Sequence, residues 1–328
     1  MPDFAFASCL PGVEPAVKLE VARDRPDLAF AFSRPGLVTF KAKGAIAPDD
    51  PPGSVFARVW GKSLGTVVDA GSVRDVLAEL GVARVHVYGR DPEQPADLEP
   101  WQALGPHGPA ADGELVANLI VPPGLATAEA VFLGIHRHDR TRGPEAGGGF
   151  GVVVPADAPS RAYAKIEEAI AWAKLPMAAG QVALEIGAAP GGAVLALARR
   201  GLTVWGVDTG ELAPVVKALP NVTHLAKKVG AVRWEELPPR IDWLLVDVNL
   251  APQVALHEIS RLMPKLRPTL RGAVITLKLN DWGFVAELPE LVQRIRDLGL
   301  PDVRLRHLPA NRKEVCAVAL PRVPHRMR

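Results

Sequence analysis

The stretch at residues 182–208, VALEIGAAPGGAVLALARRGLTVWGVD, constrains the fold of this chain more than any other. An apolar, β-like run enters a Gly-rich turn, a helix-like segment follows, and a second apolar run ends on Asp208. Two strands joined through a helix run parallel, and parallel strands need both faces of their sheet covered. The alternation continues downstream. Apolar segments IDWLLVD, AVITLKL, DVRLRHL and EVCAVAL are separated by amphipathic APQVALHEISRLMPKL and GFVAELPELVQRIRDLG, and a helical SRAYAKIEEAIAWAKL precedes them all. This pattern predicts an α/β fold with a doubly wound, mostly parallel sheet over residues 155–328. Ligands of such sheets sit at the carboxyl ends of the strands.

The turn itself, Gly187-Ala188-Ala189-Pro190-Gly191-Gly192, is poorly suited to a dinucleotide. A pyrophosphate turn spaced G-x-G-x-x-G needs its second glycine to admit phosphate, and here that position is Ala189. Pro190 also removes a backbone donor. The spacing suits a ligand that approaches the backbone without phosphate, and Asp208 is placed to accept hydrogen bonds from ribose hydroxyls. S-adenosylmethionine meets both conditions. The competing reading is that the glycines serve close packing only.

Residues 1–154 read as mixed α and β. FAFASCL and GLVTFKAKG are predicted strands flanking a helical GVEPAVKLEVARD, and SVRDVLAELG is a helix leading into strand ARVHVYGRD. Residues 91–113 read as a loop, ELVANLIVPPG and EAVFLGIHRHD as further apolar runs, and 141–151 as a Gly-rich break. Cys9 and Cys316 lie in apolar runs far apart, as buried thiols of a reducing, cytoplasmic setting would. No apolar run is long enough to span a bilayer, and the first 15 residues lack the pattern of a secretory signal.

Charge is unevenly divided. Residues 1–155 hold 14 Lys+Arg against 19 Asp+Glu, whereas the segment from Val303 onward holds Arg304, Arg306, Arg312, Lys313, Arg322, Arg326 and Arg328 against the single acid Glu314. A basic C-terminal half fits a polyanion such as RNA, or is simply a solvated edge. Arg137, His138, Arg140 and Arg142 are the corresponding candidates in the N-terminal half. His136 and His138, two residues apart and with no cysteine nearby, make a poor metal site, and no metal is expected.

Four further charges stand at element ends. Asp247 closes WLLVD, Lys278 closes AVITLK, Lys165 lies on the helix before the first strand, and Glu314 enters the last strand. Convergence of the four would make a charge-balanced group, in which burial and a second ammonium lower the pKa of one lysine.

PADAPSRAYAKIEEAI, LEIGAAPGG, GVDTG, LLVDV, LKL and RKEV occur in the order found in FtsJ-like ribose 2′-O-methyltransferases, and the chain most resembles the RlmM-type enzymes of 23S rRNA. CLPGVEPAVKLEVA is similar to the opening of that family, which implies a THUMP RNA-binding region in the N-terminal half. The resemblance implies a Rossmann-like methyltransferase sheet and a Lys165, Asp247, Lys278, Glu314 catalytic tetrad. It also implies S-adenosylmethionine contacts at Gly187, Ala189, Pro190, Gly191, Gly192, Asp208 and Asp247. The implied substrate is an unpaired nucleotide of large-subunit rRNA, a cytidine by analogy, with Arg137, Arg140, Arg304, Arg306, Arg312 and Arg326 on its phosphates. Two positions depart from the pattern. Ala162 stands where the family has a serine, and Lys228 where an aspartate would meet the adenine amino group. Three alternatives remain open: a non-catalytic RNA-binding or ribosome-assembly factor, a methyltransferase for a small molecule or base nitrogen, and, last, a nicotinamide dehydrogenase.

Overall fold

The computed structural model describes residues 2–50, 53–124, 129–279 and 281–322. The chain divides into two compact units, Met1–Gly151 and Val152–Arg328.

The first unit contains β1 (Phe4–Ser8), α1 (Glu14–Asp24), β2 (Leu28–Arg34), β3 (Leu37–Ala42), β4 (Val59–Val67), α2 (Ala70–Glu79), β5 (Arg84–Gly89), β6 (Leu115–Val121) and β7 (Val131–Arg137). Its seven strands form one sheet in the order β2-β3-β1-β4-β7-β6-β5, and β5–β6 is its parallel pair. Two strands, β2 and β4, are not among the predicted ones. β2 is an edge strand with most side chains exposed, and β4 carries two glycines and a register shift between Ser63 and Gly65. The expected loop at 91–113 contains a short helical turn, Glu99–Leu104, because Trp101 and Leu104 pack into the core beside Val85 and Leu133.

A buried histidine group lies in this unit. The His86 and His136 rings are 6.4 Å apart, those of His136 and His138 are 5.9 Å apart, and His136 Nδ1 meets the Asn118 amide at 2.7 Å. Burial lowers the His86 pKa to about 4 and holds those of His136 and His138 below the usual imidazole value. Below pH 6.5 the folded unit therefore binds fewer protons than the unfolded chain, so stability present at neutral pH falls as pH drops toward 4. His86 alone contributes roughly 3 kcal/mol to that loss once fully titrated. Calorimetry across this range is expected to show Tm falling steeply. His136→Gln, which can still meet Asn118, is expected to flatten the curve, and an unchanged slope would count against this account.

The second unit contains α3 (Ala162–Ala173), β8 (Val182–Ile186), α4 (Gly192–Arg199), β9 (Thr203–Val207), α5 (Pro214–Lys217), β10 (Val222–Leu225), β11 (Trp243–Val246), α6 (Pro252–Leu266), β12 (Gly272–Lys278), α7 (Leu288–Asp297), β13 (Asp302–Arg306) and β14 (Glu314–Leu320). The sheet order is β10-β9-β8-β11-β12-β14-β13. The first five are parallel, and β14 runs antiparallel to both β12 and β13. β8, β11 and β12 are buried almost throughout, which is why they read as continuous apolar runs. From β8 the chain winds through α4 to β9 on one side, and from β11 through α6 to β12 on the other. Right-handed crossovers then place α4 and α6 on opposite faces. The direction of winding reverses between β8 and β11, so a crevice opens outside their carboxyl ends. The segment expected as one helix from Gly283 is instead a short turn, Trp282–Glu287, followed by α7 with Pro289 in its first turn. Among the described residues no helix is long and apolar enough to cross a membrane.

Candidate active site

The Gly-rich turn leaves β8 and must pass the end of β11 almost in backbone contact. Gly187 has φ +89°, and a Cβ there would stand 2.3 Å from the Asp247 carbonyl oxygen. Two bonds hold the turn: Gly187 N–H donates to Val207 O at 2.9 Å, and Asp247 N–H donates to Ile186 O at 2.9 Å. Asp208 completes it. Its Oδ2 accepts the Ala189 N–H at 3.0 Å, and its Oδ1 accepts the Gly210 N–H at 2.8 Å. Asp208 is thus a clasp on the turn as well as a wall of the crevice.

A cavity of about 610 Å³ runs along these strand ends, a size suited to a small-molecule ligand. Gly187, Ala189, Asp208 and Asp247 line it, with Thr209, Lys228, Leu250, Val254 and Glu258 among the other walls. Pro190, Gly191 and Gly192, expected at the ligand, are not on its lining. Gly192 has a packing role: a Cβ there would come within 2.4 Å of Ser160 Oγ and 2.8 Å of the Tyr163 nitrogen, so its bareness lets α4 close onto the start of α3.

Beside the cavity the structure brings together Lys165, Asp247, Lys278 and Glu314. The antiparallel register of β12 and β14 sets Lys278 directly opposite Glu314. Lys278 Nζ donates to Glu314 Oε2 at 2.8 Å and stands 2.7 Å from Asp247 Oδ1. The latter is an ion pair without hydrogen-bond alignment. Lys165 Nζ, reaching from α3, donates to Asp247 Oδ2 at 2.9 Å and lies 2.5 Å from Glu314 Oε1. Each ammonium meets both carboxylates, which closes a four-charge ring in which Glu314 is the most enclosed, its side chain 7% exposed.

This ring corrects one expectation. Burial alone would push the Lys278 pKa down, but Asp247 and Glu314 outweigh it and hold the ammonium above its ordinary value. Burial likewise works against the Asp247 carboxylate, and Lys165 and Lys278 reverse that and keep its pKa below the usual one. A second ammonium does lie close by, but the two carboxylates dominate.

Glu185 was not singled out in the sequence, although an acid inside VALEI is the signal. It is 1% exposed, and its Oε2 has no hydrogen-bond partner among the described residues. Burial, reinforced by Asp247 and Asp208, raises its pKa well above the ordinary carboxylate value.

The candidate phosphate contacts fare unevenly. Arg306 is buried, 6% exposed, and is unsuited to a surface contact. Arg142 is buried too, its guanidinium 4.1 Å from the Trp60 ring and held by Asp139, and His138 is likewise buried. Arg304 is half-buried and Arg312 exposed, while Arg326 lies outside the described residues. In the first unit Arg137 is exposed and donates to Gly113 O, and Arg140 pairs with Asp112 at 3.2 Å. Cys9 and Cys316 are buried free thiols, and burial pushes both pKa values up. Among the described residues no three His, Cys, Asp or Glu side chains are grouped to hold a metal.

No family profile matches the chain. Curated proteins do. Over 178 residues it is 34% identical to Ribosomal RNA large subunit methyltransferase M of Thauera aminoaromatica, covering 51% of this chain and 47% of that protein. The protein of the same name in Chromohalobacter salexigens is 32% identical over 173 residues, 49% of this chain and 47% of its own. Half of this chain is similar in sequence to half of each of those proteins. The match spans about half the length of these curated methyltransferase relatives. Among solved structures, the fibrillarin pre-rRNA processing protein of Methanococcus jannaschii superposes loosely, at a TM-score of 0.36 with 15% identity, covering 49% of this chain and 76% of that one.

Proposed function

We propose that this chain transfers a methyl group from S-adenosylmethionine to a ribose 2′-hydroxyl of large-subunit rRNA. The matching half is then the second unit. One observation carries the reading: Asp247 both lines the cavity and bridges the two lysines, so a ligand in the cavity meets the charged ring at a single carboxylate. The named methyltransferase relatives support the reaction class and the RNA substrate.

The residues present fit the donor. Asp208 and Thr209 offer acceptors at the end of β9, Leu250 and Val254 an apolar wall, and the bare Gly187 lets the turn lie flat against β11. When bound, S-adenosylmethionine supplies a methyl group already activated as a sulfonium, and the chain's own residues handle the hydroxyl. Lys278, in its amine form, takes the hydroxyl proton. Asp247 and Glu314 hold Lys278 in place, and Lys165 pairs with both carboxylates. Proton removal of this kind contributes about 10²–10⁴-fold.

The substrate nucleotide enters unpaired, because a duplex ribose cannot reach a ring of buried charges. A cytidine of 23S rRNA is the proposed target, with a THUMP-like first unit docking the RNA and Arg137, Arg140, Arg304 and Arg312 meeting phosphates. The test is transfer of radiolabelled methyl from S-adenosylmethionine to protein-free 23S rRNA that lacks its native ribose methylations. Label is expected in an alkali-resistant 2′-O-methyl dinucleotide. Tight RNA binding with no transfer would overturn the catalytic reading in favour of an assembly factor.

A further inference from the structure

Past β10 the cavity continues to a second end, walled by Lys227, Lys228, Val229 and Gly230 on one side and by Leu250, Val254 and Glu258 on the other. The chemistry of this end is defined by few polar side chains. The Lys227 ammonium is engaged by Glu236 at 2.6 Å. Lys228 has donors only. Two other acceptor side chains on the lining, Thr209 and Asn249, follow β9 and β11 within three residues of their ends.

Glu258 is the carboxylate of this second end, and it is held in position. It lies one helical turn beyond Val254 on the same face of α6. Arg261 ties it down: its Nε meets Glu258 Oε2 at 3.3 Å, and its Nη2 donates to the Val229 carbonyl at 3.2 Å, joining α6 to the turn after β10. The carboxylate rests against Gly230, where a Cβ would stand 3.2 Å from Oε2. Oε1 has no hydrogen-bond partner among the described residues. Leu250 and Val254, both exposed, offer the flat apolar surface that a heteroaromatic ring covers.

We propose that Glu258 recognises the adenine of the methyl donor, its carboxylate accepting the hydrogen bond of the exocyclic amino group, with Lys228 supplying a donor for a ring nitrogen. A carboxylate and an ammonium on the same cavity lining complement an edge that carries one donor and one acceptor. Hypoxanthine, which presents a carbonyl in place of the amino group, turns that match into a repulsion with Glu258. The assignment explains how a chain with Lys228, which cannot accept, still selects an amino-purine: the acceptor has moved from the turn to the facing helix. It rests on the methyltransferase reading.

Calorimetric titration of the purified protein with S-adenosylhomocysteine and S-inosylhomocysteine tests it. The wild type is expected to prefer the adenosyl ligand. Glu258→Ala is expected to weaken adenosyl binding about tenfold to a hundredfold, the difference a charged hydrogen bond makes, while inosyl binding, freed of the repulsion, is expected to tighten. Glu258→Gln, which keeps an acceptor oxygen, is expected to retain part of the preference. Arg261→Ala, which frees the helix from the turn and leaves the acceptor, is expected to weaken both ligands alike. If Glu258→Ala leaves the preference intact, or weakens both ligands equally, the proposal is overturned. If the wild type binds neither ligand, the cofactor reading itself fails, a separate result.

Discussion

Lys278→Ala is expected to lower methyl transfer by about 10²–10⁴-fold while S-adenosylhomocysteine and RNA still bind within a few-fold of wild type. The fold should tolerate the change, because Lys165 still contacts both Asp247 and Glu314. Lys278→Arg separates the two parts that this side chain can play. Arginine keeps the positive charge between the carboxylates but does not give up its proton in a protein. It should therefore be as slow as alanine if Lys278 is the proton acceptor. Asp247 and Glu314 hold the Lys278 pKa above its ordinary value. The amine form is thus scarce at neutral pH and grows with alkalinity, so wild-type turnover should climb with pH through the neutral and alkaline range. A profile flat over that range, or an active arginine variant, would leave Lys278 as a cation that orients the hydroxyl and would require another base.

The largest structural effect is expected from Gly187→Ala. Two costs combine there. The first is a left-handed backbone at φ +89°, worth roughly 1–2 kcal/mol for a residue with a Cβ. The second is that Cβ itself, 2.3 Å from the Asp247 carbonyl oxygen, a backbone atom that cannot step aside without parting β8 from β11. Gly180 provides the control. Its φ is +80°, and a Cβ there meets nothing within 4 Å, so Gly180→Ala carries the backbone cost alone. Urea unfolding should place Gly180→Ala about 1 kcal/mol below wild type and Gly187→Ala several kcal/mol below, in the range reserved for clashes at special backbone positions. S-adenosylhomocysteine binding should vanish in the second and persist in the first. Equal losses in the two variants would refute the close approach of the two strands.

The parallel part of the second unit is legible because its physics is local. A strand buried on both faces must be apolar along its whole length, as WLLV in β11 is, and a helix packed on one face must repeat its apolar residues every three or four positions, as Ala255, Ile259, Leu262 and Leu266 in α6 do. The first unit is less legible for the converse reason. β2 carries the apolar run LAFAF but, as an edge strand, leaves most of it exposed, and β4 is broken by Gly61 and Gly65. Likewise Arg306 and Arg142 are indistinguishable in the sequence from exposed arginines, and burial alone separates them.

The four charged residues were recognisable from where each sits on its own element, at a strand end, a strand start or a helix turn. Their effect on one another was not. In the sequence two lysines near one another suggest mutual repulsion and a lowered pKa, since the distance from each to a carboxylate is unknown. The β12–β14 register and the reach of α3 set those distances between 2.5 and 2.9 Å, and at that range two carboxylates outweigh both burial and the second ammonium. By itself the sequence determined the order of strands and helices in the second unit, the turn that needs Gly187, and the charges available at the crevice, because those depend on neighbours along the chain. Only the tertiary structure decided which glycines line the cavity, that Glu258 rests against Gly230, and how Lys278 holds its proton, because each of those is a distance between residues far apart in the chain.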